Sequence, residues 1–590
     1  MHVEFQKTPL EGLIFQVKKN PNGIAYRQKI EGQWQGTSWK EYYDLVEKIA
    51  AGLVSLGVQK GDRIAILSAT RPEWALADVA ILTLGAVTVP IYYSNTPEDV
   101  HYILEDARCT VIFVENQTLR KKIQKNELLR HIISFEKNDE LDIGQLHEKS
   151  KGIQFDLKEA VSKIESGDLA TLVYTSGTTG KPKGVMLTHD NFLSEINDLY
   201  KIFPVSSKDS LLTFLPFAHI FARVEHMASL CIGWCLNYAE SIEKVATNMK
   251  EVRPTLVLCV PRIFEKAYNK ILIKIQEGSS LKKALFAWAS KVGRAASFFK
   301  EQGKSLPFIL HLQWVVVDKI VFSKIRENFG GRIRFFISGG APLSQEIARF
   351  FHSAGLLILE GYGLTETTAA VTVNLPHQYR FGTVGLPVGD VKIKIEESQD
   401  YPKGQGEILL KSRKIFRGYF NKEEETCAAL RDGWFATGDV GTLVNGHLMI
   451  TDRKKDIIVT SSGKNIAPQN LENLLKTNPL ISQAMVYGDN RNYLTALITL
   501  NQDQVKELAA TWGLGHLSWE DLIRHDRIKK QVSAIVNEKN AELASYETIK
   551  KFQILENDFS IETGELTPTL KVKRKFCSEK YRPYLDSMYQ

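Results

Sequence analysis

The chain has 590 residues, 44% hydrophobic and 24% charged, a globular composition that excludes a disordered chain and, at this length, a single compact core. The net charge of +7 is small against 75 Lys and Arg and 68 Asp and Glu, so mild attraction to anions is expected and a nucleic-acid footprint is not. Six scattered cysteines, Cys109, Cys231, Cys235, Cys259, Cys427 and Cys577, argue against a disulfide framework and for a reducing, cytoplasmic setting.

The opening MHVEFQKTPLEG has mixed charge and no sustained apolar stretch, so it does not read as a signal peptide. From residue 39 to residue 114, helical patterns such as WKEYYDLVEKIAAGLVSLG alternate with short apolar strands such as DRIAILS and CTVIFVE. That alternation predicts α/β construction with mostly parallel sheets. The greasiest run, residues 75–93, breaks at Asp78, Gly85 and Pro90 and fits a helix then a strand better than a membrane span. Residues 119–158 are rich in charge and poor in pattern, and read as a surface excursion.

Residues 174–184, YTSGTTGKPKG, pack hydroxyl side chains, glycines and two lysines into one loop between the strand-like LATLV and GVMLTH. Glycines let backbone N–H groups approach an anion, hydroxyls add donors, and Lys181 and Lys183 add charge, so the loop predicts a phosphate cradle. A Walker loop fails: Thr175 stands at its first glycine, and Pro182 replaces the Ser or Thr that would hold Mg²⁺. The string resembles instead the phosphate signature of the AMP-forming adenylate synthetases.

Beyond it, Cys231 and Cys235 have ligand-like spacing, but SLCIGWCLNY is apolar and lacks a His or Cys cluster, so packing is expected rather than zinc. Residues 264–328 read as a long helical region. Within it, residues 281–300 combine Leu, Phe and Trp with five basic side chains and no acid. Such a helix can lie on an anionic membrane surface, although an ordinary packed helix with a solvated basic face is the reading its pattern favours. After residue 381 the texture turns to Gly-rich turns and short strands, a smaller β-rich unit. RKKD then follows an apolar strand, and the remainder mixes strands and helices.

Further strings follow the family's order. LPFAHIFAR places His219 where the family lines its acyl carboxylate site. SGGAPL, with Gly339, Gly340, Ala341 and Pro342, follows the apolar IRFFI and can bring backbone to an adenine ring. EGYGLTET carries Gly361, Tyr362 and Gly363, with a flat aromatic face for adenine. It also carries Thr365, a hydroxyl for phosphate, and Glu366, a hard oxygen ligand for Mg²⁺. WFATGD ends in Asp439, an acceptor for both ribose hydroxyls, and DRKKD supplies Arg453, a fork donor for ribose and phosphate oxygens. LTPTLKVKR matches the C-terminal lysine motif, with Lys571 at the family spacing and Lys573 in reserve. Leu570 stands where many relatives place glycine.

Together these strings resemble the long-chain fatty acyl-CoA synthetases over nearly the whole chain. The resemblance implies a large N-terminal adenylation domain, residues 1–452, made of parallel-sheet subdomains plus a β-rich one. A small mobile α/β domain, residues 453–590, would turn on a hinge at Lys455. The phosphate loop of Thr175, Ser176, Gly177, Thr178, Thr179, Gly180 and Lys183 would bind ATP, with Thr175 and Glu366 on Mg²⁺. A carboxylate is a poor acyl donor, so such enzymes convert a fatty acid with MgATP into acyl-AMP, releasing pyrophosphate, and coenzyme A thiol then displaces AMP. Catalysis would fall to Lys571, Glu366, Thr175 and His219. Acyl-acyl carrier protein synthetases share these motifs, and a non-enzymatic lipid-binding relative would be expected to lose some of them. The acyl tunnel is expected at residues 215–223 and in the helical stretch after Val260.

Overall fold

The computed structural model describes residues 5, 7–137, 141–175, 181–399, 401–461, 464–567 and 571–590. Two large sheets carry the first part of the chain. In one, the strands Arg63–Leu67, Val87–Ile91, Val111–Val114, His131–Ser134 and Leu169–Thr175 run parallel, and Lys183–Thr188 returns antiparallel beside the last of them. In the other, six parallel strands, Ile24–Ile30, Cys235–Tyr238, Ser210–Thr213, Leu256–Cys259, Phe335–Ser338 and Ile358–Leu364, lie side by side between antiparallel edges. Helices fill the faces, as the alternating pattern requires.

Local signals place these elements. Ser38 and Glu41 close a capping box that starts the helix Trp39–Ser55, with Ser38 N donating to Glu41 Oε2 at 2.7 Å. Pro72 opens the helix Pro72–Thr83, and the predicted strand of residues 86–93 appears as Val87–Ile91. Residues 119–158 depart from the surface reading. His131–Ser134 adds an edge strand, and the helix Ile143–Ser150 seats a fully buried Leu146 against Gly52. Only a few apolar side chains bury there, and the intervening charge hides their pattern.

Residues 392–453 form an antiparallel sheet that includes Gly406–Lys411, Trp434–Val444 and His447–Arg453, the β-rich unit the Gly-rich texture predicts. Beyond it, the strands Ile481–Tyr487, Leu494–Leu500 and Ile549–Ile554 form a separate sheet. The buried apolar side chains divide at the same place. One continuous core runs from Phe5 to Leu448, and another is built only from residues Ile458 to Ile554.

The helical region of residues 264–328 resolves into Pro261–Gln276, Ser280–Glu301 and Phe308–Val317, followed by a short π-turn and the helix Ser323–Glu327. Ser280–Glu301 buries its small side chains, Ala289, Gly293 and Ala296, and leaves Leu281 78% and Phe298 53% exposed. In Phe308–Val317 only Val317 is buried. Among the described residues, no helix is long and apolar enough to cross a membrane.

Candidate active site

A cavity of about 2140 Å³ opens where the two large sheets, the β-rich sheet and the C-terminal segment meet. Thr175 and Lys183, the described residues that flank the phosphate loop, are paired across the antiparallel strands at its rim. Ser176, Gly177, Thr178, Thr179 and Gly180 lie outside the described residues. Lys183 Nζ stands 5.1 Å from the Tyr419 ring centroid, and Tyr419 Oη donates to Glu366 Oε1 at 2.8 Å. The two-residue strand Gly418–Tyr419 pairs with Lys183–Thr188 and fixes that ring. Thr175, Lys183, Tyr419 and Glu366 thus form one connected wall.

Glu366 sits in a single 3-10 turn, Thr365–Thr367, and its half-buried carboxyl has a raised pKa because burial disfavours the charged form. A hydroxyl and one carboxylate, beside a loop for phosphates, are the hard oxygen donors Mg²⁺ accepts when substrate phosphates and water complete its shell. The residues present fit the ion. Among the described residues no group of three or more acidic, His or Cys side chains is placed to hold a metal ion by itself, so an ion here would share its shell with substrate phosphate.

The SGGAPL turn leaves the strand Phe335–Ser338 with Gly340 at φ +83°, a left-handed conformation that favours glycine. Leu343 N donates to Glu360 Oε2 at 3.2 Å and ties this turn to the EGYGLTET strand. Burial pushes the Glu360 carboxyl up to about 7. Gly363 has no alternative: a Cβ there would lie 1.4 Å from Ala369 O. Gly339, Ala341, Pro342, Gly361 and Thr365 line the same cavity.

Asp439 and Arg453 are cross-strand partners, and Arg453 Nε reaches Asp439 Oδ1 at 3.1 Å. Tyr362 Oη, from another sheet, donates to Asp439 Oδ2 at 2.6 Å. Each carboxylate oxygen of Asp439 therefore has one protein donor and retains acceptor capacity.

Lys571 enters from the C-terminal segment. Leu566 and Val572 bridge, Thr567 N donates to Lys571 O at 2.8 Å, and Arg574 Nη2 anchors the segment to Glu472 Oε2 at 2.6 Å. Burial, and after it the charge of Arg453, lowers the Lys571 pKa to about 8 against the opposing pull of Asp439 and Asp456. Its charge also bears on His219, whose pKa falls to about 4 mainly through burial, so that imidazole is neutral at pH 7. Lys573 is exposed. Arg262 Nη1 donates to Ser482 O at 3.1 Å and holds the C-terminal region against the cleft.

His219 caps the helix Ile220–Ile232, its Nδ1 accepting from Phe221 N at 3.2 Å. The helix is locked by the fully buried pair Arg223 and Asp78, Nη2 to Oδ1 at 2.5 Å. On the side of His219 the lining of the cavity includes the apolar side chains of Phe203, Val224, Ala228, Ile232, Leu256 and Leu258, and this apolar part is its limb. Only part of it falls where the sequence reading puts the tunnel. Residues 219–221 line it, but of the helical stretch after Val260 only residues as far as Glu265 take part, and the rest comes from residues 196–205, from the helix that follows His219 and from the strand Leu256–Cys259.

Lys455 is exposed in the turn after the strand His447–Arg453. Cys231 is buried with its thiol on Pro9 O at 3.7 Å, while Cys235 begins a strand, its thiol accepting from Arg27 Nη1 at 3.8 Å. Tyr419, Glu360 and Asp456 were missed by sequence reasoning. EGYGLTET contains Glu360, but nothing in that string tells a buried carboxyl from an exposed one, and Tyr419 lies 53 positions from the Glu366 it contacts.

Parallel sheets converging on a phosphate loop, with a C-terminal lysine delivered into the cleft, define an adenylate-forming enzyme. Residues 14–420 match the family described as AMP-binding enzyme and residues 455–590 match the AMP-binding enzyme C-terminal domain; the chain belongs to this family. It is 37% identical to long-chain-fatty-acid–CoA ligase FadD15 of Mycobacterium bovis over 98% of this chain and 96% of that protein. It is 32% identical to long-chain-fatty-acid–CoA ligase ACSBG2 of Homo sapiens over 96% and 90%. Among solved structures, the adenylation domain of a carboxylate reductase from Mycobacterium chelonae superposes with a TM-score of 0.75 at 24% identity, covering 99% of this chain and 91% of that one.

Proposed function

We propose that this enzyme activates a long-chain fatty acid with ATP to acyl-AMP and transfers the acyl group to coenzyme A, releasing AMP and pyrophosphate. The observation that carries the reading is the placement of Lys571. Its ammonium interacts with His219 at the mouth of the apolar limb and with Asp439 and Arg453 on the nucleotide side. A fatty acid lying in the limb brings its carboxylate to His219, and ATP held by Tyr362, Asp439 and Arg453 brings its α-phosphate to the same point. Two anions must meet there, and Lys571 supplies fixed positive charge where they do. Bound Mg²⁺ would neutralise phosphate charge beside Thr175 and Glu366.

The ring of Tyr362 and the backbone of Gly339 to Pro342 bound the adenine pocket, Thr365 faces phosphate, and Lys183 with the 176–180 loop cradles the pyrophosphate end. No protein nucleophile is required, because the coenzyme thiol attacks the acyl carbon after Lys571 withdraws. We place the boundary between residues 452 and 453 and the hinge at Lys455. The division of the core between Leu448 and Ile458, and the family matches on either side, support that placement. Coenzyme A is favoured over acyl carrier protein as acceptor by the relatives' names.

Peripheral attachment to an anionic membrane forms part of this reading. Phe308, Ile309 and Leu312 stand 76%, 71% and 52% exposed on one helix, with exposed Lys282 and Lys283 on the helix packed beside it. Such a surface fits acyl chains below headgroups, the source of the substrate.

The deciding experiment is ATP–pyrophosphate exchange with saturated acids of increasing chain length, followed by thioester formation with coenzyme A or with acyl carrier protein. Exchange that rises with chain length and thioester formed on coenzyme A are expected. Exchange confined to short acids, or thioester only on the carrier protein, would overturn the reading.

A further inference from the structure

Glu225 is an acidic side chain in an apolar place. It is 2% exposed, lies on the helix whose Phe221, Val224, Ala228 and Ile232 line the apolar limb, and itself lines that limb. Its Oε2 accepts from Thr213 Oγ1 at 3.0 Å, on the strand whose Leu211 pairs with Leu256 of the limb wall. Its Oε1 is buried and, among the described residues, has no hydrogen-bond partner. Among the described residues no Lys or Arg pairs with it, since Arg223 of the same helix is committed to Asp78.

A carboxyl facing methylene groups with an unmade hydrogen bond is unfavourable, and the defect is repaired by an oxygen brought to it. Glu225 lies six residues beyond His219 on the helix, ~9 Å at ~1.5 Å per residue, which is midway along a long acyl chain rather than at its carboxyl end. We propose that Glu225 recognises an oxygen substituent, hydroxyl or oxo, carried at a mid-chain position of the fatty acid. This rests on the limb being the acyl site. Burial raises the carboxyl to about 8, with only the Thr213 bond opposing, so at pH 7 it carries a proton and can donate it in a hydrogen bond from Oε1 while Oε2 keeps Thr213. An acyl hydroxyl can accept that bond, and an oxo group can as well.

The test is the kcat/KM of ATP–pyrophosphate exchange for hexadecanoate and for monohydroxy-hexadecanoates with the hydroxyl stepped along the chain. The native enzyme should show a peak for mid-chain isomers, at least about tenfold above hexadecanoate and above isomers substituted near either end. Glu225→Met should abolish the peak and raise activity on hexadecanoate, and Glu225→Gln, which still offers a donor, should keep much of it. A flat profile in the native enzyme, or a peak that survives Glu225→Met, overturns the inference while leaving acyl activation standing. Exchange with none of these acids would remove the acyl limb itself, and the inference with it. The position scan of the native enzyme is decisive even if a variant folds poorly.

Discussion

Tyr362 Oη and Asp439 Oδ2, contributed by different sheets, share a buried hydrogen bond of 2.6 Å. The ring proposed to bound adenine and the carboxylate proposed to hold ribose are therefore one unit, and Arg453 completes it from the next strand at 3.1 Å.

Asp439→Ala removes the acceptor from two protein donors and from the ribose hydroxyls together. At ~1.5 to 3 kcal/mol per charge-assisted bond, KM for ATP should rise by about ten- to a hundredfold, with the acyl-chain profile unchanged. Titration of ATP binding checks this. Unaltered ATP affinity would make Asp439 a purely structural partner of Tyr362 and Arg453.

Lys571→Ala should abolish pyrophosphate exchange and largely spare thioester formation from supplied acyl-AMP, because its charge is needed only where carboxylate meets α-phosphate. Equal loss in both half-reactions would defeat the assignment. Lys573→Ala, at an exposed position, should retain both.

The same lysine predicts a pH dependence. Its folded-state pKa of about 8 lies below the 10.5 of the free side chain, so the folded enzyme releases this proton before the unfolded chain does. Protonation therefore costs stability below about pH 8, and the cost is relieved as pH rises from about 8 toward 10.5. Activity runs the other way. The kcat/KM for exchange, which reports the free enzyme, should fall about tenfold per unit above pH 8. Residual activity of Lys571→Arg should stay level there, and a native profile flat from pH 7 to about 9.5 would refute the role of the ammonium.

Lys455→Pro fixes φ near −65° and restricts Lys454 before it. If the C-terminal region turns between half-reactions, exchange should persist while acyl-CoA production falls by orders of magnitude. A variant making acyl-CoA at the native rate would exclude either this hinge or the rotation; a melting curve guards against simple unfolding at the strand end.

Ile309→Asp with Leu312→Asp should weaken sedimentation with vesicles containing anionic phospholipid, and exchange with a soluble medium-chain acid should be unchanged. The exposed positions make a folding defect small. Equal sedimentation of the native and doubly substituted enzymes would remove this surface from membrane attachment.

The sequence by itself determined the alternation of helices and strands, the β-rich texture after residue 381 and the family motifs, because periodicity, turn chemistry and short strings are local properties. It placed Thr175, Glu366, Asp439, Arg453 and Lys571 among the site residues, and the structure brings all five to one cavity. Tertiary structure alone decided what each side chain touches. Strand pairing sets Asp439 opposite Arg453, Tyr419 meets Glu366 across 53 residues, and the limb is walled by segments far apart in the chain. Burial decided the rest: Glu225 and Glu360 read as ordinary charged residues, and the shifted protonation of both and of Lys571 comes from desolvation, which depends on neighbours that only folding assembles.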